Sequence, residues 1–318
     1  MPSTSLDPYP SPEERDRGFV ASVEQAGGTV EEYGQSMEGR PLLAGKLPAT
    51  RPDAPRILCS ANIHGLEFIA GQVALGLLRT ANTLDRLRAR AEVWFVACIN
   101  PDGYARTWAA GGDAPRLSHL RANANGVDLN RNYPRPGGAA ASRWPGAGSD
   151  KPGDATYRGP TPLSEPETAA LDRLMAAQRF HASANLHSFM GTVIPARVRR
   201  PEWFSHYRNL CKAFAAGQLQ RRYHRLSSRL FDVFTGEQED HQHHAHDCWA
   251  VCVESFPISA SFRQHLRAPT RFWRFNPRDP KPWVANDVAG LAAYFHAALD
   301  RPRPSEVLAK GALPQATT

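Results

Sequence analysis

Lysine is scarce in this chain of 318 residues, confined to Lys46, Lys151, Lys212, Lys281 and Lys310, so the formal net charge of +7 rests almost wholly on arginine. Nine basic residues between Arg197 and Arg229 face one acid, Glu202, and "TRFWRFNPRDPKPW" interleaves arginines with aromatics. No recognised nucleic-acid reader motif accompanies these runs. They read as solvated faces or as attraction for a small anionic substrate, and without such a motif nucleic-acid binding is not expected. Long apolar runs are also missing. Nothing approaches the roughly 18 residues of a membrane span, and the polar start "MPSTSLDPYPSPEERDRG" holds no signal-peptide core. A soluble, cytoplasmic protein that meets no membrane is expected. Cysteine is limited to five positions, four of them inside apolar runs. An odd number in such settings disfavours a disulfide framework and points to buried free thiols in a reducing compartment. Cys248 and Cys252 have no second pair nearby, as a thiolate zinc site would need.

What is present is enough apolar material, 42%, for a sizeable core at a length where α/β proteins often share one domain. Residues 1–17 read as a flexible arm and 301–318 as a tail, framing a single domain over 18–300. "TVEEYGQSMEGRPLLAGKL" predicts two strands joined by a turn at Met37-Glu38-Gly39. "RILCSANIH", "EVWFVACIN", "RFHASANLHSF" and "CWAVCVESFP" predict buried strands, with a helix from Gly65 to about Thr80. Asn100-Pro101-Asp102-Gly103 signals a turn, and the Gly-, Pro- and Asn-rich stretch from Tyr104 to Pro162 a long functional loop. "SEPETAALDRLMAAQ" opens a helix, with Ser164 and Glu167 spaced as a capping box and Pro166 in the first turn. Glu165 and Glu167 are therefore assigned structural roles. "KPWVANDVAGLAAYFHAAL" predicts a closing helix. Strands alternating with helices imply a three-layer α/β/α sandwich around a largely parallel sheet.

Three of the apolar strands end in ionisable side chains: Ile57-Leu58-Cys59 leads to His64 and Glu67, Ala182 to Leu186 leads to His187, and Trp249 to Val253 leads to Glu254. In a parallel sheet these ends converge on one edge, where open crevices form. Two imidazoles and a carboxylate match a catalytic zinc that leaves a position for water. Glu254 is then available as a general base, taking a proton from that water and passing it to a leaving amine. In "RANANGVDLNRNYP", Asp128 and Asn130 lie on one side of an extended segment and Arg131 on the other, unless the backbone turns. Arg131 offers a planar fork for a carboxylate, and Asp128 can accept the free N–H of a zinc-bound histidine.

The motifs His64-Gly-Leu-Glu67, "NPDGY", "GVDLNRNYP", "SEPET", "NLHSF" and "VESF", in that order over residues 57–256, together resemble zinc carboxypeptidases related to carboxypeptidase A. The resemblance implies a phosphorylase/hydrolase-like fold with a mixed sheet and one Zn2+ held by His64, Glu67 and His187. It also implies Glu254 as the catalytic glutamate, Asn130 and Arg131 as the pair that holds a substrate's terminal carboxylate, and Asp128 behind a zinc histidine. An upstream arginine polarises the scissile carbonyl in such enzymes; Arg121 is the candidate and Arg116 its rival. The implied partner is a peptide or peptide-like substrate with a free C-terminal carboxylate. Some bacterial relatives trim cell-wall peptides with a γ-glutamyl linkage. An N-acyl amino acid deacylase on the same scaffold and a non-catalytic zinc- or peptide-binding protein are the alternatives. A substrate-covering tyrosine expected about twenty residues before Glu254 is missing from "LFDVFTGEQED", the only tyrosines between His187 and Glu254 being Tyr207 and Tyr223. In its place stands a cluster of His241, His243, His244 and His246, which reads as a solvated loop, an accessory metal site or a polar lid.

Overall fold

A computed structural model describes residues 6–142, 144, 146–229 and 233–311. Residues 1–5 of the expected arm, 312–318 of the expected tail and 230–232 of the segment lacking the covering tyrosine lie outside the described residues. Among those described, eight strands form one sheet: β1 (Thr29–Gln35), β2 (Pro41–Leu47), β3 (Arg56–Ala61), β4 (Glu92–Val96), β5 (Ala182–Ser188), β6 (Thr192–Pro195), β7 (His224–Arg225) and β8 (Trp249–Ser255). The helices that follow the chain are α1 (Pro12–Gln25), α2 (Phe68–Arg79), α3 (Ala81–Arg88), α4 (Pro101–Ala109), α5 (Leu117–Arg121) and α6 (Pro166–Gln178). After them come α7 (Pro201–Gly217), α8 (Gln238–His246), α9 (Ile258–Arg267), α10 (Phe272–Phe275), α11 (Lys281–Leu299) and α12 (Pro304–Gly311).

The strand order is β1-β2-β4-β3-β5-β8-β6-β7. The centre, β4-β3-β5-β8, is parallel, while β1 and β2 pair antiparallel with their neighbours and β6 runs antiparallel to β8 and parallel to β7. Alternation along a strand sends successive side chains to opposite faces. Ile57, Cys59 and Ala61 of β3 enter one core with Val73 and Leu77 of α2 and Leu291 of α11. Leu58 enters a second core with Trp94, Leu171, Leu174 and Met175. Both faces are therefore covered, which is why the central strands read as unbroken apolar runs, and the α/β/α sandwich with a mixed sheet is the fold of this chain. All five cysteines are free and buried. No helix among the described residues is long and apolar enough to cross a membrane.

Several local expectations are corrected. The arm is packed from Leu6 onward: Leu6 and Tyr9 are buried, Tyr9 Oη donates to Pro277 O, and α1 starts at Pro12 on a Ser11/Glu14 capping box. Residues 304–311 of the tail form α12. The predicted turn at Asn100 is a helix start, because the Asn100 side chain accepts from Gly103 N and Pro101 opens α4. The Ser164/Glu167 capping box does not form. Glu165 takes the N-cap position instead, Ser164 Oγ donates to it, and Glu167 turns inward to Asn123 and to Met37 N. The basic run 197–229 contains α7 and the edge strand β7 as well as exposed residues.

Candidate active site

Because β3, β5 and β8 are parallel neighbours, their C-terminal ends lie side by side, and His187 stands in register opposite Glu254. Two of these strands stop on residues in the left-handed region, Asn62 at φ 54 and Phe256 at φ 63. Such backbone is costly for side chains other than glycine and concentrates where a site over-determines it. Asn62 holds its turn by donating from Nδ2 to Glu67 O at 2.8 Å. Gly65 is required in the same turn: a Cβ there would stand 2.4 Å from the carbonyl carbon of Gly103. The loop 62–67 is thereby pressed onto the start of α4, which aims His64 and Glu67 at the sheet edge.

His64, Glu67 and His187 come together, each offering a ligand atom within 4.8 Å of the others. His64 Nε2 lies 3.1 Å from Asp128 Oδ1, and a carboxylate held by Arg121 can only accept, so Nε2 carries the proton. The lone pair on His64 Nδ1 then faces Glu67 Oε1 at 2.9 Å and His187 Nδ1 at 3.2 Å. Three electron-rich atoms at such spacing need a shared proton or a cation. The imidazole separation of 3.2 Å is close to the edge of a tetrahedron with zinc–nitrogen bonds, about 3.3 Å. Glu67 Oε2 is 3.1 Å from His187 Nδ1 yet makes no hydrogen bond, and it stays buried. The residues fit a divalent zinc.

Electrostatics point the same way. Burial opposes the charged form of Glu67, but His64 and His187 outweigh it and hold its carboxyl well below the usual range. Asp128 behaves likewise, burial being overcome by Arg121 and His64. Glu254 differs: burial, aided by Glu67, pushes it up to about 7, and its Oε2 is a buried acceptor with no partner. One ligand atom each of His187, Cys252 and Glu254 lies within 4.8 Å of the others.

Among the expected substrate-facing residues, Arg121 is at the centre, its Nε 2.9 Å from Asp128 Oδ2 and its Nη1 3.9 Å from Glu67. Arg116, the rival, lines a surface cleft with Ser118 and Gly153. The 128–131 segment turns rather than extending, with Leu129–Arg131 as one 3-10 turn that Asp128 caps through Asn130 N. Asn130 Oδ1 accepts from Gln238 N at 2.9 Å, leaving the NH2 as the end not held by α8. Arg131 does not stand free: its Nη1 is 3.0 Å from Glu237 Oε1, and Nη2 donates to Gly146 O. Arg197 shares Glu237. The histidine cluster is no solvated loop; it lies on α8, with His241 and His243 buried. Tyr207 and Tyr223 are buried in the core and bonded to His243 and Asp287. Sequence reasoning missed Glu237 and Glu239. Glu239 is buried with an unpartnered Oε2, and burial, then Glu237 and Asp240, push it up to about 8. The signal was there in "EQED", three acids in four residues of an arginine-rich chain.

The zinc carboxypeptidase (peptidase) family matches residues 26–260. The chain belongs to the zinc carboxypeptidase family. Within that family it is 38% identical to murein peptide amidase A of Escherichia coli strain K12 over 149 residues, 46% of this chain and 53% of that protein. It is 30% identical to the human carboxypeptidase N catalytic chain over 194 residues, 56% of this chain and 40% of that one. The chain thus spans about half the length of the relatives it matches, or less. The solved thrombin activatable fibrinolysis inhibitor superposes with a TM-score of 0.73 at 18% identity, covering 95% of this chain and 78% of that one, and it shares the carboxypeptidase fold.

Proposed function

We propose that this chain is a zinc-dependent metallocarboxypeptidase that hydrolyses the C-terminal amide bond of a peptide or peptide-like substrate, with cell-wall peptides as the substrate class. The observation that carries the reading is the convergence of His64 Nδ1, His187 Nδ1 and Glu67 beside Glu254 at one sheet edge. Family membership and the relative named a murein peptide amidase support the substrate class.

Zinc held by His64, Glu67 and His187 supplies, when bound, a Lewis acid that acidifies water and polarises a carbonyl. Glu254, facing the same space with an unpartnered oxygen, takes the proton of the attacking water and returns it to the departing amine. Arg121, anchored through Nε on Asp128, presents its remaining guanidinium nitrogens to the negative charge that develops on the carbonyl oxygen. Asp128 keeps the His64 proton on Nε2, so that Nδ1 stays a ligand atom. Asn130 and Arg131 receive the terminal carboxylate, and for this chain Arg131 must exchange Glu237 for it or share itself between the two.

The test is a hydrolysis panel on zinc-loaded protein: muropeptides, dipeptides, and N-acetyl and N-succinyl amino acids, with products identified by mass spectrometry. Release of a C-terminal residue from muropeptides is the expected result. Cleavage of the acyl amino acids alone would favour a deacylase, and binding without cleavage a non-catalytic protein.

A further inference from the structure

Four histidines stand within six residues on α8, and the chemistry at the sheet edge uses none of them. Two of the four, His241 and His246, reach across to α6 and meet the same atom. His241 Nε2 lies 2.6 Å and His246 Nε2 2.7 Å from Asp172 Oδ1. The three potential ligand atoms all lie within 4.8 Å of one another. We propose that Asp172, His241 and His246 form a second divalent-metal site, for a borderline ion such as Zn2+, that fastens α8 to α6.

The donor set is the first support. Two imidazoles and a carboxylate suit zinc and its transition-metal neighbours, whereas magnesium and calcium prefer oxygen throughout. The second is direction. The two rings stand at 85° with centroids 5.1 Å apart, and both turn Nε2 to the one carboxylate oxygen. Access is the third. Asp172 is 27% exposed at its side chain while the two histidines are largely covered, which leaves an open side for an ion to enter and keep a water. The His241 ring is further held by stacking on Tyr133 at 5.3 Å. At hydrogen-bond spacing the site is closed by Asp172 accepting from both rings. To admit zinc the nitrogen–oxygen separations must open by about 0.6 Å, which the exposed-side carboxylate can supply by a small rotation.

The place of the site gives it a consequence. α8 begins at Gln238, whose backbone N–H holds Asn130, and Glu237 just before it pairs with Arg131. An ion at the far end of α8 would hold the helix that carries both contacts.

The full-length chain is stripped with chelator, re-equilibrated with excess ZnCl2, passed over a desalting column and assayed for metal. Two equivalents are expected in the unaltered chain, and His246→Gln should lose one of the two. The decisive variant is His64→Ala/His187→Ala, in which the sheet-edge ligands are gone. It should retain one zinc, show the visible bands of tetrahedral cobalt when loaded with Co2+, and lose both signals when His246→Gln is added. A folded His64→Ala/His187→Ala variant that binds no zinc overturns the proposal, as does zinc that persists in the triple variant. If the double variant fails to fold, His64→Gln/His187→Gln takes its place under the same criteria. This test is separable from that of the proposed reaction: an unaltered chain that holds only one equivalent, lost in His246→Gln but kept in His64→Ala/His187→Ala, would support the α6–α8 site and refute the sheet-edge one.

Discussion

Replacing Asp128 with asparagine tests how the sheet edge is wired. Asp128 is fully buried and accepts three bonds: from His64 Nε2 at 3.1 Å, Arg121 Nε at 2.9 Å and Asn130 N at 3.0 Å. Asparagine keeps the shape but offers one oxygen and one NH2. If its oxygen stays with His64 and Asn130, the NH2 faces the Arg121 donor; if it flips, His64 and Asn130 lose their acceptor. Either way at least one buried donor is left unpaired, at a cost of about 1–3 kcal/mol. Breaking a buried ion pair costs roughly 3–5 kcal/mol, and the 15% exposure of Arg121 screens its share toward the low end. A loss of about 3 kcal/mol of stability, where the two ranges meet, is expected. Metal affinity should fall about 10- to 100-fold, since the carboxylate behind a ligand histidine fixes its tautomer and basicity. Urea denaturation of the metal-free chain measures the first effect, and zinc competition against a chromophoric chelator the second. A folded Asp128→Asn protein with unchanged zinc affinity would refute the claim that Asp128 sets the state of His64.

Glu254→Gln should leave zinc content intact and lower kcat by about 10²- to 10⁴-fold, measured on whichever panel substrate is cleaved fastest; full activity would remove Glu254 from the proton transfer. Glu237→Gln frees Arg131 from its carboxylate at 3.0 Å, so KM for substrates with a free terminal carboxylate should fall about tenfold, or about 1.4 kcal/mol, while a rise would mean that Glu237 orients Arg131 rather than competing for it. Gly65→Ala sets a methyl 2.4–2.6 Å from the Gly103 backbone, which has no flexible side chain to yield, and should cost more than about 2 kcal/mol in urea denaturation together with much of the zinc affinity. An alanine variant as stable as the parent would show that the two loops can separate.

The layers of the fold and the three strand ends were legible because the central strands are buried on both faces and announce themselves as apolar runs that stop at polar residues. The packed N-terminal segment was not. Leu6 and Tyr9 are two apolar residues among prolines, without period, and Tyr9 packs on Phe68 and Phe272, far along the chain. Helix α8 was hidden for a related reason. Its polar residues are buried by partners from other elements, Asp172 for His241 and Tyr207 for His243, so no apolar stripe marks it. The pairing of Arg131 with Glu237 joins segments about a hundred residues apart and leaves no local pattern. The capping-box spacing at Ser164 misled because tertiary partners claimed both side chains first.

The central claim is that His64, Glu67 and His187 hold one catalytic zinc. Anomalous diffraction above and below the zinc absorption edge, on crystals of the zinc-loaded protein, tests it most directly. An edge-dependent peak bounded by His64 Nδ1, His187 Nδ1 and the Glu67 carboxylate is expected; fully loaded crystals with no such peak between those three side chains would contradict it.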